Sequence, residues 1–512
     1  MTAVAQAERR WRLAVAVAVA AFAAYRLPEL TRYALWYDEV FSLSLAQQSW
    51  GDLIAGAVAD RTNPPLFYIL LKAWIGIGGE SVAWMRLLPC AFGIGSAIPL
   101  TALARRWIGQ TANTNPTATV VGAEPAGAGA TLVTLAAAAA SPLAVFLSNE
   151  LRAYSLLLLL TTCSLLAFDR LCETARWEGD IAAGGDAPAP FAQARSERTR
   201  RTVALGVVNV LLVLTHYFGW LVVVAEAGAA LRWHRKSVGR VCAAAGAAAV
   251  AFAPWAVAVA RSAAASATPL ANVSWIGVPS AADVPAFYDA LIARVLTPGT
   301  AWIGAAIVVA TVAAAVVTGV AARRRGVAQA AWFTLLPVAL VWTMSVVANR
   351  PAFVPRYLLI AAPAWWFFVG SAFGHGHATR RLWIAALTFV AFTLAAGAAR
   401  EIRGGEKVPW DGVVAAVAAD AGPRGGPLYS LEGFTALPAA YYARESGAAV
   451  SVRPVREFSE IRAPAWIVIR SQPGVPPTLG TALMPRGLTL TPIFEARVPS
   501  HAITAYRIAF VP

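Results

Sequence analysis

The chain has 512 residues, 58% hydrophobic and only 13% charged, with a mean hydropathy of +0.59. That excludes an ordinary soluble protein of this length and puts most of the chain in lipid. The net charge of +15 does not point to nucleic acid, because the basic residues form short clusters between apolar runs and no continuous basic face.

In chain order, Arg9, Arg10 and Arg12 precede the first apolar run, and no small-residue cleavage site precedes Tyr25 and Arg26. An uncleaved first span is expected. A helix needs about 20 mostly apolar residues to cross a bilayer. Spans are predicted near residues 11–27, 86–104, 129–147, 152–172, 202–215, 217–231, 241–259, 301–321, 327–347, 355–373 and 382–398. The fifth and sixth are short, so together they could form one broken segment, which would invert everything after them. The charge pattern argues for two crossings. Only then do Arg105 and Arg106, the Arg195–Arg201 cluster, Arg232 to Arg240, Arg323 to Arg325 and Arg380 with Arg381 all fall on the cytoplasmic side with the N-terminus.

With that topology, the loop 28–85, the turns at 149–151 and 215–218, the loop 349–355 and the C-terminal region are external. Cys90, Cys163, Cys172 and Cys242 all lie in or beside apolar runs, with no disulfide framework or zinc-ligand spacing. The sequences 113–129 and 177–201 read as loose cytoplasmic loops. From about residue 400 the pattern changes to Gly/Pro punctuation, strand-like runs at 465–470 and 503–509, and a helix-like run near 413–421. This predicts a small extracytoplasmic α/β domain over 400–512, following a transmembrane domain over 1–399.

The polar residues collect in the external turns. The first loop opens with Trp36-Tyr37-Asp38-Glu39 ahead of a short helix expected to lie along the membrane surface. Asp38 as a helix cap and Glu39 as a dipole partner would need no function. Equally, a carboxylate beside two aromatics at a membrane surface is partly desolvated and suited to act as a base. Further on, Asn63-Pro64-Pro65 starts a second apolar surface helix ending near Trp74, and the proline holds Asn63 extended. Ser148-Asn149-Glu150-Leu151-Arg152-Ala153-Tyr154 puts an acid, a base and a phenol in one tight interfacial turn. Residues two apart on a helix point in different directions, so Glu150 and Arg152 are expected to serve separate partners. His216 and Tyr217 occupy the next external turn, where interfacial anchoring is the plainer role. Arg350 and Arg356-Tyr357 flank the tenth span, where a guanidinium can snorkel to lipid phosphate or bind a phosphate substrate bidentately.

Six motifs in order, Trp36-Tyr37-Asp38-Glu39, Asn63-Pro64-Pro65-Leu66-Phe67-Tyr68, Arg86-Leu87-Leu88 with Phe92-Gly93, Glu150-Leu151-Arg152-Ala153-Tyr154, His216-Tyr217 and Arg356-Tyr357-Leu358, resemble the bacterial members of the dolichyl-phosphate-mannose protein mannosyltransferase superfamily. These are GT-C fold glycosyltransferases, including aminoarabinose transferases and rhizobial lipopolysaccharide core transferases. Lys407-Val408-Pro409-Trp410-Asp411 is similar to a further recurrent segment. The chain departs from the pattern at Asn63, where the family usually has histidine.

The resemblance implies an all-α polytopic membrane protein of the GT-C fold with the small α/β domain attached, in a bacterial cytoplasmic membrane. It implies inverting transfer of a sugar, mannose or another monosaccharide, from a polyprenyl-phosphate carrier to a lipid, polysaccharide or protein acceptor. Asp38 then matches the base, with Glu39 assisting or orienting it. A single displacement needs base and leaving phosphate on opposite faces of the sugar. Glu150 is expected at the acceptor or a divalent metal ion, which some relatives use, although no metal-ligand spacing stands out. Arg356, with Arg152, His216, Tyr217 and Tyr357, is expected at the donor phosphate, and Asn63, Pro64 and Pro65 shape the loop. A lipid-linked sugar flippase or transporter is the main alternative. It would place ionisable residues or Gly/Pro breaks near the centres of several spans, whereas here the charges lie mostly at the external ends. A scaffolding protein would leave the first-loop carboxylates and the Pro-Pro turn without a task.

Overall fold

The computed structural model describes scattered positions among the first 25 residues and then 26–112, 128–184, 188–266, 275–291, 325–373, 407–430, 433–455, 457–471, 487–498 and 501–510. In chain order the helices are α1 (Tyr37–Gln47), α2 (Trp50–Asp60), α3 (Leu66–Gly78), α4 (Val82–Gly95), α5 (Ala97–Ala112), α6 (Ala128–Ala140), α7 (Pro142–Ser148) and α8 (Tyr154–Gly184). There follow α9 (Pro188–Thr215), α10 (Gly219–Trp233), α11 (Val238–Ala264), α12 (Asp283–Ala290), α13 (Arg325–Val347), α14 (Ala362–Phe373), α15 (Trp410–Ala421) and α16 (Gly433–Glu445). The chain divides into two compact units. The first is Met1–Leu27, Gln48–Gly79 and Trp84–Ala396; the second is Pro28–Gln47, Glu80–Ala83 and Gly397–Pro512.

The first unit is helical, and among the described residues four stretches are long and apolar enough to cross a bilayer: Val82–Trp107, Tyr154–Thr174, Arg235–Ala264 and Arg325–Val347. A fifth is the pair α6 and α7, bent by 55°. The bend sits where Ser141 caps α7, its side chain accepting from Ala144 N–H, with Pro142 in the first turn. These five match the spans expected near 86–104, 152–172, 241–259, 327–347 and 129–147. The expected spans at 301–321 and 382–398, and most of that at 11–27, lie outside the described residues. The tenth appears as a short apolar helix, Tyr357–Ser371.

The two short spans at 202–215 and 217–231 are a hairpin, formed by the apolar half of α9 and by α10. Asn209 Nδ2 donates to Glu226 Oε2 at 2.9 Å. Along a continuous helix, residues 17 apart would be about 25 Å apart. The reversal at His216–Phe218 is close, since a Cβ on Gly219 would press on the backbone of Leu212. Ser164 of α8 closes the group, its Oγ 2.6 Å from Asn209 Oδ1 and 2.5 Å from Glu226 Oε1. All three side chains are buried, so the ring joins three helices by polar contacts within an apolar region. Replacing Glu226 with Leu strands the Asn209 Nδ2 donor, while Ser164 keeps Asn209 Oδ1 as its acceptor, at a cost of about 1–3 kcal/mol. Thermal unfolding in detergent should show Glu226→Leu markedly less stable than Glu226→Gln; equal stability of Glu226→Leu and wild type would remove the ring's role. Elsewhere, Arg106 of α5 bonds Asp169 at 2.6 Å and Glu173 at 2.8 Å, both on α8. Arg201 of α9 reaches Glu173 at 3.4 Å.

The second unit contains a five-stranded sheet of β1 (Gly426–Ser430), β2 (Val450–Pro454), β3 (Ala465–Ser471), β4 (Leu488–Val498) and β5 (His501–Phe510), in the order β2-β1-β3-β5-β4. β1 runs parallel to β2 and β3, while β5 is antiparallel to β3 and β4. The period-two alternation expected of 465–470 divides the core. Trp466 and Val468 join Leu428, Ile503 and Ala505 in one apolar cluster with Val413, Val414 and Val417 of α15. Ala465 and Ile467 join Tyr429 and Ile508 on the opposite face. α1 also belongs to this unit. It packs against α16.

Candidate functional site

In the first unit, the turn between α7 and α8 is held by Arg26, which in the sequence marks only the end of the first apolar run. Arg26 is fully buried. Its Nε donates to Ser148 Oγ at 3.2 Å and its Nη1 to Ala139 O at 3.1 Å. A Cβ on Gly93 would collide with Ser148 Oγ, which gives a packing reason for Gly93 in the Phe92-Gly93 motif. In this turn Glu150 is wholly buried and Arg152 nearly so. Arg152 N–H bonds Glu150 O at 2.7 Å, and Arg152 Nη1 donates to Tyr68 Oη at 3.4 Å.

Tyr68 stands on α3, whose start follows Pro64-Pro65, so the Pro-Pro turn reaches the Glu150–Arg152 turn through one phenol. Asn63 is buried, and its Oδ1 finds no hydrogen-bond partner among the described residues. The preceding turn is set by Asp60, whose Oδ2 accepts from Thr62 N–H, and by Arg61 in the left-handed conformation at φ 61°.

Arg152, His216, Arg356 and Tyr357 come together, and Tyr154 joins them. The His216 ring lies 5.0 Å from Tyr357 and 6.2 Å from Tyr154, centroid to centroid. The Arg356 guanidinium stands over three rings, at 5.2 Å from Trp275, 5.6 Å from Tyr357 and 5.9 Å from Tyr154. Trp275 has no signal in the sequence, because it stands alone in an uncharged connection without a neighbouring motif. Tyr217 points elsewhere: its hydroxyl accepts from Trp255 Nε1 at 3.2 Å, on α11. Its expected place at the donor phosphate is not supported by these contacts. Arg350 is exposed.

Phe218 N–H donates to His216 Nδ1 at 3.1 Å, so the neutral imidazole carries its proton on Nε2. Burial, reinforced by the positive charges of Arg152 and Arg356, pushes His216 down to about 3. The cluster therefore offers an anion two guanidinium groups and one neutral N–H donor. Because the unfolded chain binds this proton below about pH 6.5 and the folded one does not until about pH 3, stability falls as pH drops through that window. The slope is about 1.4 kcal/mol per pH unit. Thermal unfolding of His216→Gln between pH 6.5 and 4 should be flatter than that of wild type; parallel curves would mean the imidazole protonates readily in the fold.

In the second unit, the two adjacent carboxylates behave differently. Glu39 is 0% exposed, and its Oε2 accepts from Trp36 N–H at 3.4 Å and from Lys407 Nζ at 3.1 Å. The capping role considered for Asp38 thus falls to Glu39, which reaches back across the first turn as in a capping box. Asp38 is half-buried beside it. Tyr442 Oη accepts from Leu35 N–H at 2.6 Å, and Tyr37 packs edge-on against Phe434 at 4.7 Å. Among the described residues no three His, Cys, Asp or Glu side chains gather as metal ligands.

No family model matches the chain, and no curated protein matches it. Among solved structures, it is similar to ArnT from Cupriavidus metallidurans in the apo state, with a TM-score of 0.56 and 16% identity over 96% of this chain and 97% of that one. It is similar also to the same protein bound to undecaprenyl phosphate, with a TM-score of 0.54 and 15% identity over the same shares. Part of the chain, 49%, aligns to 33% of the S. cerevisiae protein O-mannosyltransferase Pmt1-Pmt2 complex bound to the sugar donor, at 16% identity and a TM-score of 0.32.

Proposed function

We propose that this chain, which has the ArnT fold and hence the GT-C fold expected from its motifs, is a membrane glycosyltransferase using a polyprenyl-phosphate-linked sugar. The observation that carries the reading is the Arg152–His216–Arg356 cluster, whose two guanidinium groups and Nε2–H suit a phosphate. In support, a protein of like fold is solved with undecaprenyl phosphate bound. The membrane is the bacterial cytoplasmic membrane, with both groups of residues on its external side, following the basic clusters of the opposite loops.

In the proposed reaction an acceptor hydroxyl oxygen attacks the anomeric carbon of the donor. The bond from that carbon to the phosphate oxygen breaks, and the phosphate leaves with the electron pair, inverting the centre. Asp38 takes the hydroxyl proton. Arg356 and Arg152 counter the charge that develops on the leaving phosphate. Glu150 contacts the acceptor, and Tyr357 and Tyr154 hold the Arg356 side chain in place. The sugar is a hexose such as mannose or a pentose, and the acceptor a lipid, polysaccharide or protein.

The test is transfer of labelled sugar by purified protein from a panel of polyprenyl-phosphate donors. Wild-type transfer with inverted product supports the reading and names the donor. Failure with every donor, combined with movement of lipid-linked sugar across a vesicle, would replace it with the flippase reading.

A further inference from the structure

A lysine and a glutamate 368 residues apart in sequence meet in the interior of the second unit. Lys407 Nζ and Glu39 Oε2 are 3.1 Å apart, with side chains 4% and 0% exposed. Removing two charges from water costs several kcal/mol each, and a buried pair does not in general repay that as stability. A buried pair does restrict geometry, because neither charge can leave its partner cheaply. Here the geometry restricted is that of one helical turn. The same Glu39 oxygen that faces Lys407 also accepts from Trp36 N–H, so the pair anchors the start of α1. The lysine is itself held, since Val408 and Trp410, on either side of Pro409, are buried in the same apolar cluster as Val413 and Val414 of α15.

Successive residues on a helix point about 100° apart. With Glu39 turned inward to Lys407, the rotation of α1 about its axis is set, and so is the direction of Asp38. Neither the Leu35–Tyr442 hydrogen bond nor the Tyr37–Phe434 contact restrains that rotation as a charge pair does, because one acts on the backbone ahead of the helix and the other is an apolar contact that can slide. We propose that Lys407 is a positioning residue for Asp38, acting through Glu39, so that the C-terminal unit sets the aim of the base. This rests on the glycosyltransferase reading above.

The experiment compares wild type, Asp38→Asn, Lys407→Met, Lys407→Arg and the double variant Asp38→Asn with Lys407→Met in the donor-panel transfer assay. Lys407→Met is expected to lower kcat about 10- to 100-fold with the donor KM unchanged, since a misaimed base weakens the chemical step and not donor binding. Lys407→Arg should recover most of that loss. Adding Lys407→Met to Asp38→Asn should cost nothing further, because there is no base left to aim; a purely structural lysine would lower the residual rate again in the double variant. If Lys407→Met does not fold, Lys407→Gln, which keeps a donor toward Glu39 but removes the charge, carries the same comparison alone and combined with Asp38→Asn. Full kcat in Lys407→Met, or additive loss in the double variant, would overturn the inference while leaving the enzyme reading intact. Wild-type protein that transfers nothing would instead overturn the reading on which the inference rests.

Discussion

Asp38→Asn is expected to lower kcat by about 10²–10⁴-fold, the usual worth of a general base, with folding unchanged. Of the two neighbouring carboxylates, Glu39 is wholly buried against Lys407 and the backbone of its own turn. Asp38, half-buried on the same turn, is the one proposed to take the proton of an acceptor hydroxyl. Asparagine has nearly the same shape and keeps the hydrogen-bonding capacity of the side chain, so what it removes is the ability to take a proton. Thermal unfolding and the donor KM should therefore match wild type. Glu39→Gln makes the contrast: it leaves Lys407 as a buried cation without its counter-charge and should lower stability by about 3–5 kcal/mol. Retained turnover in Asp38→Asn, measured with the best donor of the panel, would assign the proton transfer to another group.

Arg356→Ala is expected to reduce kcat/KM by about 10²–10³-fold, the range found when one preorganised electrostatic contact to developing charge is removed. A guanidinium that merely snorkels to bulk lipid would give almost no effect. The geometry favours a dedicated role, because Arg356 is set among the rings of Trp275, Tyr357 and Tyr154, and its charge acts on His216 together with that of Arg152. Arg356→Lys should recover only part of the loss, since an ammonium neither stacks on the rings as a guanidinium does nor presents a bidentate fork. Transfer rates of the two variants with varied donor concentration check this, and an unaltered kcat/KM in Arg356→Ala would remove the phosphate assignment.

Much of the site was legible one motif at a time. Arg152, His216, Arg356 and Tyr357 each stand out because charged and aromatic residues are rare in so apolar a chain, and each marks a turn between apolar runs. Other residues were legible only in hindsight. Asn209 and Glu226 lie almost symmetrically about the turn at 216–218, which is the spacing of a hairpin pair, yet each alone looks like an isolated polar residue in an apolar run. Tyr217 was read with His216 because they are adjacent, but neighbours at a turn face different ways, and its hydroxyl meets Trp255.

By itself the sequence determined the membrane character, the apolar helices, the hairpin of two short segments and the strand pattern of the C-terminal unit. All of these follow from local hydrophobic periodicity and from charge at the ends of apolar runs. Only the tertiary structure decided that Glu39 is buried on Lys407, that α1 packs with the C-terminal unit, and that Arg26 supports the Glu150–Arg152 turn. Those outcomes depend on pairings across tens to hundreds of residues. The identity of a buried charge's partner is set by which surfaces fold together, and no local pattern records it.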